Sequence, residues 1–247
     1  MTLRRRSKGC GVSIARVDAR LDPIGDTDLS AVGALLAEPA RSKLLLALGD
    51  GRALAASVLA VEAGVAASTA SHHLKKLVEG GLLTVSSRGR HRYFALAGPR
   101  VAELIEAAAR VAPAQPITSM RQGTRAHALR YARRCYDHLA GRLGVAVTDA
   151  LRTQGVLASA RAPGYTVTEH GAATLAGLGV HAQPGDVVRA CLDWTEQRDH
   201  IAGPLGKELM TRLLDLGWIV VAPATRAVRI TDSGRASLPD RLGVQLP

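Results

Sequence analysis

Two kinds of chemistry are suggested by the spacing of side chains in this 247-residue chain. One is soft-ligand chemistry. Cys135 and His138 stand three apart, and Cys191 and His200 nine apart. Two thiolates and two imidazoles can close a tetrahedral site around zinc or another thiophilic ion. On a helix Cys135 and His138 would share a face, whereas Cys191 and His200 would point in opposite directions. Neither spacing is that of a finger or ribbon. The commoner arrangement of such residues is a buried apolar cysteine, with histidine capping or hydrogen-bonding inside its own segment. No other cofactor signal accompanies them. The second chemistry is anion binding. Lys75, Lys76, Arg88, Arg90 and Arg92 follow closely on Ser68, Thr69, Ser71 and His72. Lysine and arginine suit phosphates, and the hydroxyl and imidazole groups can meet phosphates or base edges. Catalysis finds no support. There is no phosphate loop, no G-x-S-x-G and no H-E-x-x-H, and Asp193, Glu196 and Asp199 have no nucleophile motif beside them.

The elements that would position the basic residues are readable. Residues 29–37 are apolar with helical period, and Pro39 can open the next helix. Within residues 54–83 a first helix covers about 55–63, Gly64 supplies the turn, and Ser68 is the expected N-cap of a second helix ending at Gly80-Gly81. Two short helices about a glycine-centred turn form the helix-turn-helix pattern. On the second helix Ser68, Ser71, His72 and Lys75 share one face, while Ala70, Leu74 and Leu77 share the opposite one. His73 suits packing within its own domain as well as a DNA contact. Residues 82–96 are two β-prone runs about a Ser-Arg-Gly-Arg tip, the pattern of a wing hairpin, and residues 100–112 form a further amphipathic helix.

AGVAASTASHHLKKLVEGGLL followed by RGRHRYFAL resembles the winged helix-turn-helix of the ArsR/SmtB family of bacterial repressors. The likeness covers residues 28–112. It implies that the Ser-x-x-Ser-His-His-Leu-like segment reads double-stranded DNA and that the arginine hairpin is the wing. It also implies a homodimer on a palindromic operator, with residues 29–36 and 101–111 as dimer elements. Two metal sites known in that family are absent in outline. The first helix of the motif, ASVLAVEAG, has no cysteine, and VAELIEAAARV has Glu103 and Glu106 but no histidine. Cys10 lies in the N-terminal arm.

The remainder carries an internal repeat. Asp137-His138-Leu-Ala-Gly141-Arg-Leu-Gly144 recurs as Asp199-His200-Ile-Ala-Gly203-Pro-Leu-Gly206, and Val167-Thr-Glu-His-Gly171 as Ile230-Thr-Asp-Ser-Gly234. Each copy reads as short helix, longer helix, hairpin and helix. Two winged-helix-like units are expected, or else one α+β domain with pseudo-symmetry. The expected fold is mainly α with small β hairpins. Its divisions are a basic arm over residues 1–25, a winged helix-turn-helix over 26–112, a linker over 113–119 and a C-terminal domain over 120–247. The repeats fall at about 135–178 and 197–240. A helix over 120–134, with Arg121, Arg125, Arg130, Arg133, Arg134 and His127, reads either as a phosphate-contacting or as a solvated basic face. Tyr131, Tyr136, Tyr165, Trp194 and Trp218 either line a small-molecule pocket or scatter through the core.

Composition narrows the classes. The formal charge is +11, from 27 Arg and 5 Lys against 21 acidic residues, and both halves are net positive. Such a charge favours polyanions. Aromatics make up 3% of the chain, too few for base-stacking platforms. Three cysteines without a tight pair suit a reducing cytoplasm, and no run is apolar enough for a membrane. The expected protein is a cytoplasmic, nucleoid-associated regulator of transcription, most simply a repressor answering to an unidentified effector through its C-terminal domain. The alternative is a repressor sensing metal or thiol redox state through Cys135, His138, Cys191 and His200. The rival binding class is a basic architectural DNA-binding protein.

Overall fold

The structure, a computed structural model, describes residues 27–160, 164–222 and 225–247. The arm over residues 1–25, with Cys10, lies outside the described residues. The first domain runs α1 (Leu29–Leu36), α2 (Pro39–Ala47), β1 (Leu54–Ala55), α3 (Ala56–Ala63), α4 (Ala67–Glu79), β2 (Leu83–Arg88), β3 (His91–Leu96) and α5 (Pro99–Val111). Asp28 caps α1 by accepting from the Ser30 and Ala31 N–H groups, and Pro39 opens α2 with its preset φ. Gly64, at φ +69°, ends α3 in the left-handed region and turns the chain into α4. Leu44, Leu45, Leu48, Leu59, Leu74, Leu77, Phe94 and Ile105 are buried together beneath these elements. Leu74 and Leu77 are fully buried, each worth about 1.5–3 kcal/mol, so the inner row of α4 holds the helix in place. The start of α4 departs from expectation. Ala66 is extended and occupies the cap, so Ser68 lies inside the first turn and caps nothing.

Residues 113–118 have no regular structure and are exposed. Beyond them, α6 (Met120–Tyr131) is capped by Ser119, whose hydroxyl accepts from the Gln122 N–H. The helix expected to reach Arg134 stops at Tyr131, because Ala132 turns extended and the chain enters a sheet. An order of hairpin, helix, hairpin, helix then occurs twice. First come β4 (Arg133–Cys135), β5 (His138–Ala140), α7 (Gly141–Thr153), β6 (Leu157–Ser159), β7 (Tyr165–Val167) and α8 (Glu169–Leu178). Next come β8 (Val187–Leu192), β9 (Asp199–Ala202), α9 (Gly203–Asp215), β10 (Ile219–Val221), β11 (Val228–Ile230) and α10 (Asp232–Leu242). Each copy therefore begins with a hairpin where a short helix was expected.

The copies exchange strands rather than standing as separate units. The hairpin β6–β7 of the first copy pairs through β7 with β8 of the second, giving the sheet β6-β7-β8-β9. Reciprocally, the residues leading into β11 meet the start of β4 through an isolated Arg133↔Ala227 bridge, with Arg134 N–H bonded to the Arg226 carbonyl and Val228 N–H to the Ala132 carbonyl. One apolar core, including Leu143, Leu151, Tyr165, Leu175, Leu209, Leu213, Trp218 and Leu238, draws on both copies. Residues 132–244 thus share one core rather than packing as two separate units.

The C-terminal domain also touches the first. Tyr136, in the β4–β5 turn, donates its N–H to the Gly49 carbonyl at 2.7 Å and packs against the first-domain core. Arg226 donates to Glu106 of α5 at 3.1 Å, both side chains buried, and Arg52 donates to the Thr225 carbonyl at 2.7 Å.

Candidate nucleic-acid interface and an interior thiol–imidazole cluster

The basic surface is built by α4 and the β2–β3 hairpin. Ser68, Thr69, Ser71, His72, Lys75 and Lys76 are all exposed on α4, opposite the buried Ala70, Leu74 and Leu77. The Ser71 hydroxyl donates to the Ala67 carbonyl, leaving its lone pairs outward. Lys75 lies 3.7 Å from Glu79 one turn on, a solvent-screened pair that leaves the ammonium accessible. His73 turns inward, with Nε2 3.4 Å from Glu38 Oε2 and little exposure, so it supports the domain. In the wing, Gly89 and Arg90 form the tip between the paired Arg88 and His91. Arg88, Arg90 and Arg92 are exposed, with Arg88 stacked 5.7 Å over Tyr93 and Arg92 5.3 Å over Phe94. Stacking holds two guanidiniums against the hairpin while their charge faces solvent. The arrangement offers a helix of groove-reading width flanked by a cationic ribbon.

The basic helix divides differently. In α6, Arg125 pairs with Glu62 at 2.5 Å and Arg130 with Glu196 at 2.9 Å, so part of its charge is internally matched. Arg133 is not on a solvated face at all. Its side chain is completely buried, with Nη2 3.0 Å from Asp193 Oδ1, Nη1 donating to Thr195 Oγ1 at 3.1 Å, and its plane 4.9 Å over the Trp194 ring. The aromatics are dispersed. Tyr165 and Trp218 are core, Tyr136 sits at the domain junction and Trp194 beneath Arg133. A groove of 480 Å³ on this domain is lined by residues such as Arg142, Asp149, Gln154, Glu196 and Arg198, none of them aromatic.

The second cluster is interior. Cys135, His138, Cys191 and His200 bring one ligand atom each to positions that all lie within 4.8 Å of one another. They come from hairpins, not helices, and this changes the meaning of their spacing. Cys135 faces His138 across a two-residue turn, and Cys191 faces His200 across a six-residue loop, each as a register pair. In a hairpin, partners directly opposite one another have side chains on the same face. The unequal loops explain why the two Cys–His spacings differ. His138 Nε2 and His200 Nε2 are 3.1 Å apart. Behind them, His138 Nδ1 is 3.1 Å from Asp137 Oδ1, and His200 Nδ1 is 3.4 Å from Asp193 Oδ2.

Charges within the cluster are strongly linked. The hydrogen bond from the Cys135 thiol holds Cys191 well below the usual thiol range; burial opposes this, and His138 and His200 reinforce it. Cys135 is correspondingly pushed up, by that shared proton and by burial. Burial works against charge on His138, but Asp137 and Cys191 outweigh it and raise its pKa. Burial likewise opposes ionisation of Asp193, yet Arg133, the Thr195 hydroxyl and the Gly141 N–H keep its carboxyl well below the ordinary carboxylate range. Asp193 is the residue sequence reasoning missed. The repeat sets Asp199 at the position that matches Asp137, but the carboxylate behind His200 is Asp193, from the longer loop.

Residues 36–86 match a family described as a helix-turn-helix domain. Over 224 residues the chain is 40% identical to YdfF of Bacillus subtilis (strain 168), described as an uncharacterized HTH-type transcriptional regulator, covering 89% of this chain and 99% of that protein. Among solved structures, a homodimeric winged helix-turn-helix domain of Mycobacterium bovis, described as a possible ArsR-family regulator, is 29% identical, covering 33% of this chain and 82% of that one, with a TM-score of 0.28. The cadmium sensor CMTR of Mycobacterium tuberculosis is 32% identical, covering 38% of this chain and 100% of that one, with a TM-score of 0.30. The near-complete match to the Bacillus protein places the helix-turn-helix and the C-terminal domain together in one relative. The chain belongs to the family of helix-turn-helix transcriptional regulators.

Proposed function

We propose that this regulator is a sequence-specific repressor that binds a palindromic operator as a homodimer and answers to an effector through its C-terminal domain. The observation that carries the reading is the outer face of α4. Six polar or basic side chains, Ser68, Thr69, Ser71, His72, Lys75 and Lys76, stand exposed on a helix whose opposite row is buried, next to a wing bearing Arg88, Arg90 and Arg92. Ser68, Thr69, Ser71 and His72 occupy the N-terminal half of α4, the part that meets base edges in such motifs. Lys75, Lys76 and the wing arginines supply phosphate contacts. Dimer formation is supported by α1, which buries none of its eight mostly apolar residues within the chain and leaves Leu29 77% exposed. Repression follows from the resemblance of α4 and the wing to ArsR/SmtB repressors. The test is genome-wide mapping of bound sites, paired with transcript levels after gene deletion. Sharp peaks over promoters, sharing a palindrome with half-sites about 34–36 Å apart, and raised transcription of the adjoining genes are expected. Diffuse coverage without a shared sequence would mean an architectural binder instead.

A further inference from the structure

We propose that Cys135, His138, Cys191 and His200 hold a zinc ion in a closed tetrahedral site that clasps the two copies of the C-terminal repeat. Four observations carry this. First, the donor atoms converge within 4.8 Å from two hairpins whose strands are not hydrogen-bonded to each other. A zinc tetrahedron with bonds of ~2.0–2.3 Å has its corners about 3.3–3.8 Å apart, so only small side-chain adjustments are needed. Second, the two histidines are oriented as ligands. Asp137 lies 3.1 Å behind His138 Nδ1 and Asp193 3.4 Å behind His200 Nδ1, where no other partner meets that nitrogen. With the protons on Nδ1, the two Nε2 lone pairs would face each other at 3.1 Å. Facing lone pairs repel unless a cation or a proton lies between them. Asp137 and Asp193 then form the carboxylate–histidine–metal relays that fix tautomer and ring orientation. Third, the charge balances. Two thiolates and two neutral imidazoles make a neutral complex with a divalent ion, which suits a site where Cys135, His138 and His200 are buried. A monovalent soft ion would leave a buried negative charge. Fourth, four protein donors fill the coordination sphere, so the ion would hold structure rather than activate water.

The position gives the clasp a consequence. Cys135 and His138 flank the two-residue turn whose Tyr136 docks on Gly49 and on the core beneath α2. A zinc ion would therefore tie that turn to the distant β8–β9 hairpin and stiffen the ground on which the DNA-reading domain rests. Metal loading displaces the thiol proton that Cys135 shares with Cys191, and each Sγ forms one bond to zinc with no change in oxidation state.

The experiment uses the full-length protein purified under reducing conditions. Elemental analysis should find one zinc per chain, and replacement by cobalt should give thiolate-to-metal charge-transfer and tetrahedral ligand-field bands. Cys191→Ser should weaken the charge-transfer band. Asp137→Asn, at a half-exposed position that should leave the fold intact, is expected to lower zinc affinity by about 10–100-fold in a chelator competition. A protein without zinc that also gives no tetrahedral cobalt spectrum overturns the proposal. A Cys135–Cys191 disulfide under those conditions overturns it too. So does unchanged zinc affinity in both variants.

Discussion

Arg133 and Arg121 are both arginines of the basic stretch that opens the C-terminal domain, yet their surroundings differ completely. Arg121 is exposed on α6, whereas Arg133 is sealed against Asp193 and Trp194. Removing one member of a buried ion pair leaves the other charge unpaired away from water, at a cost of about 3–5 kcal/mol. Arg133→Ala should therefore lower unfolding stability by about that amount in denaturant titrations, whereas Arg121→Ala should stay within about 0.5 kcal/mol of the parent. Equal, small effects would show that Arg133 is hydrated in solution. The sequence could not distinguish these two arginines. Local periodicity continued the helix past Tyr131, whereas the chain turns extended at Ala132 and enters the β4–β5 hairpin, where Arg133 is buried.

The elements explain what was and was not legible. The outer face of α4 and the wing were readable because helical period and hairpin alternation are local properties. Ser68 erred by only a turn's fraction, since the cap depends on where the chain leaves Gly64. The Cys–His hairpins were not legible, because a two-residue turn and a six-residue loop give unlike spacings to like geometry. The pairing of β7 with β8, which joins the two halves of the C-terminal domain in one sheet, was not legible. Across those halves α7 packs against β9 and α9 against β5, with Gly144 and Gly206 at the crossings. A side chain at Gly206 would put its Cβ 2.7 Å from the Ile201 carbonyl and 3.3 Å from His138 Cβ. Gly206→Ala should thus cost about 1–3 kcal/mol by overpacking. Gly177→Ala, on the exposed side of α8 with nothing within 4 Å, should gain about 0.4–1 kcal/mol. Thermal unfolding of the two variants checks both signs. On the reading surface, Lys75→Ala and Arg90→Ala should each lower the slope of log affinity against log salt by about one unit per subunit. A slope unchanged in either variant removes that residue from the phosphate contacts.

At the scale of the whole molecule, the +11 charge is not spread as a uniform coat. Part is matched internally, as in Arg125–Glu62, Arg130–Glu196 and Arg226–Glu106, and part is concentrated on α4 and the wing. Apolar exposure is scattered, with Val61, Met120 and Val187 on other elements, and includes Leu29 at 77% and Val111 at 85% on the two helices proposed to form the dimer. Leu29→Glu combined with Val111→Glu should shift sedimentation toward the monomer and weaken operator binding, without lowering monomer stability. No described helix is long and apolar enough to cross a membrane. The central claim is discrimination: the α4 face should select one DNA sequence over others, beyond attracting any polyanion. Its most direct measurement is the affinity of the full-length protein for its selected palindrome and for a scrambled duplex of equal length, at the same physiological salt. A ratio of about 10³–10⁷ is the expected result. Equal affinities, falling together as salt rises, would contradict it.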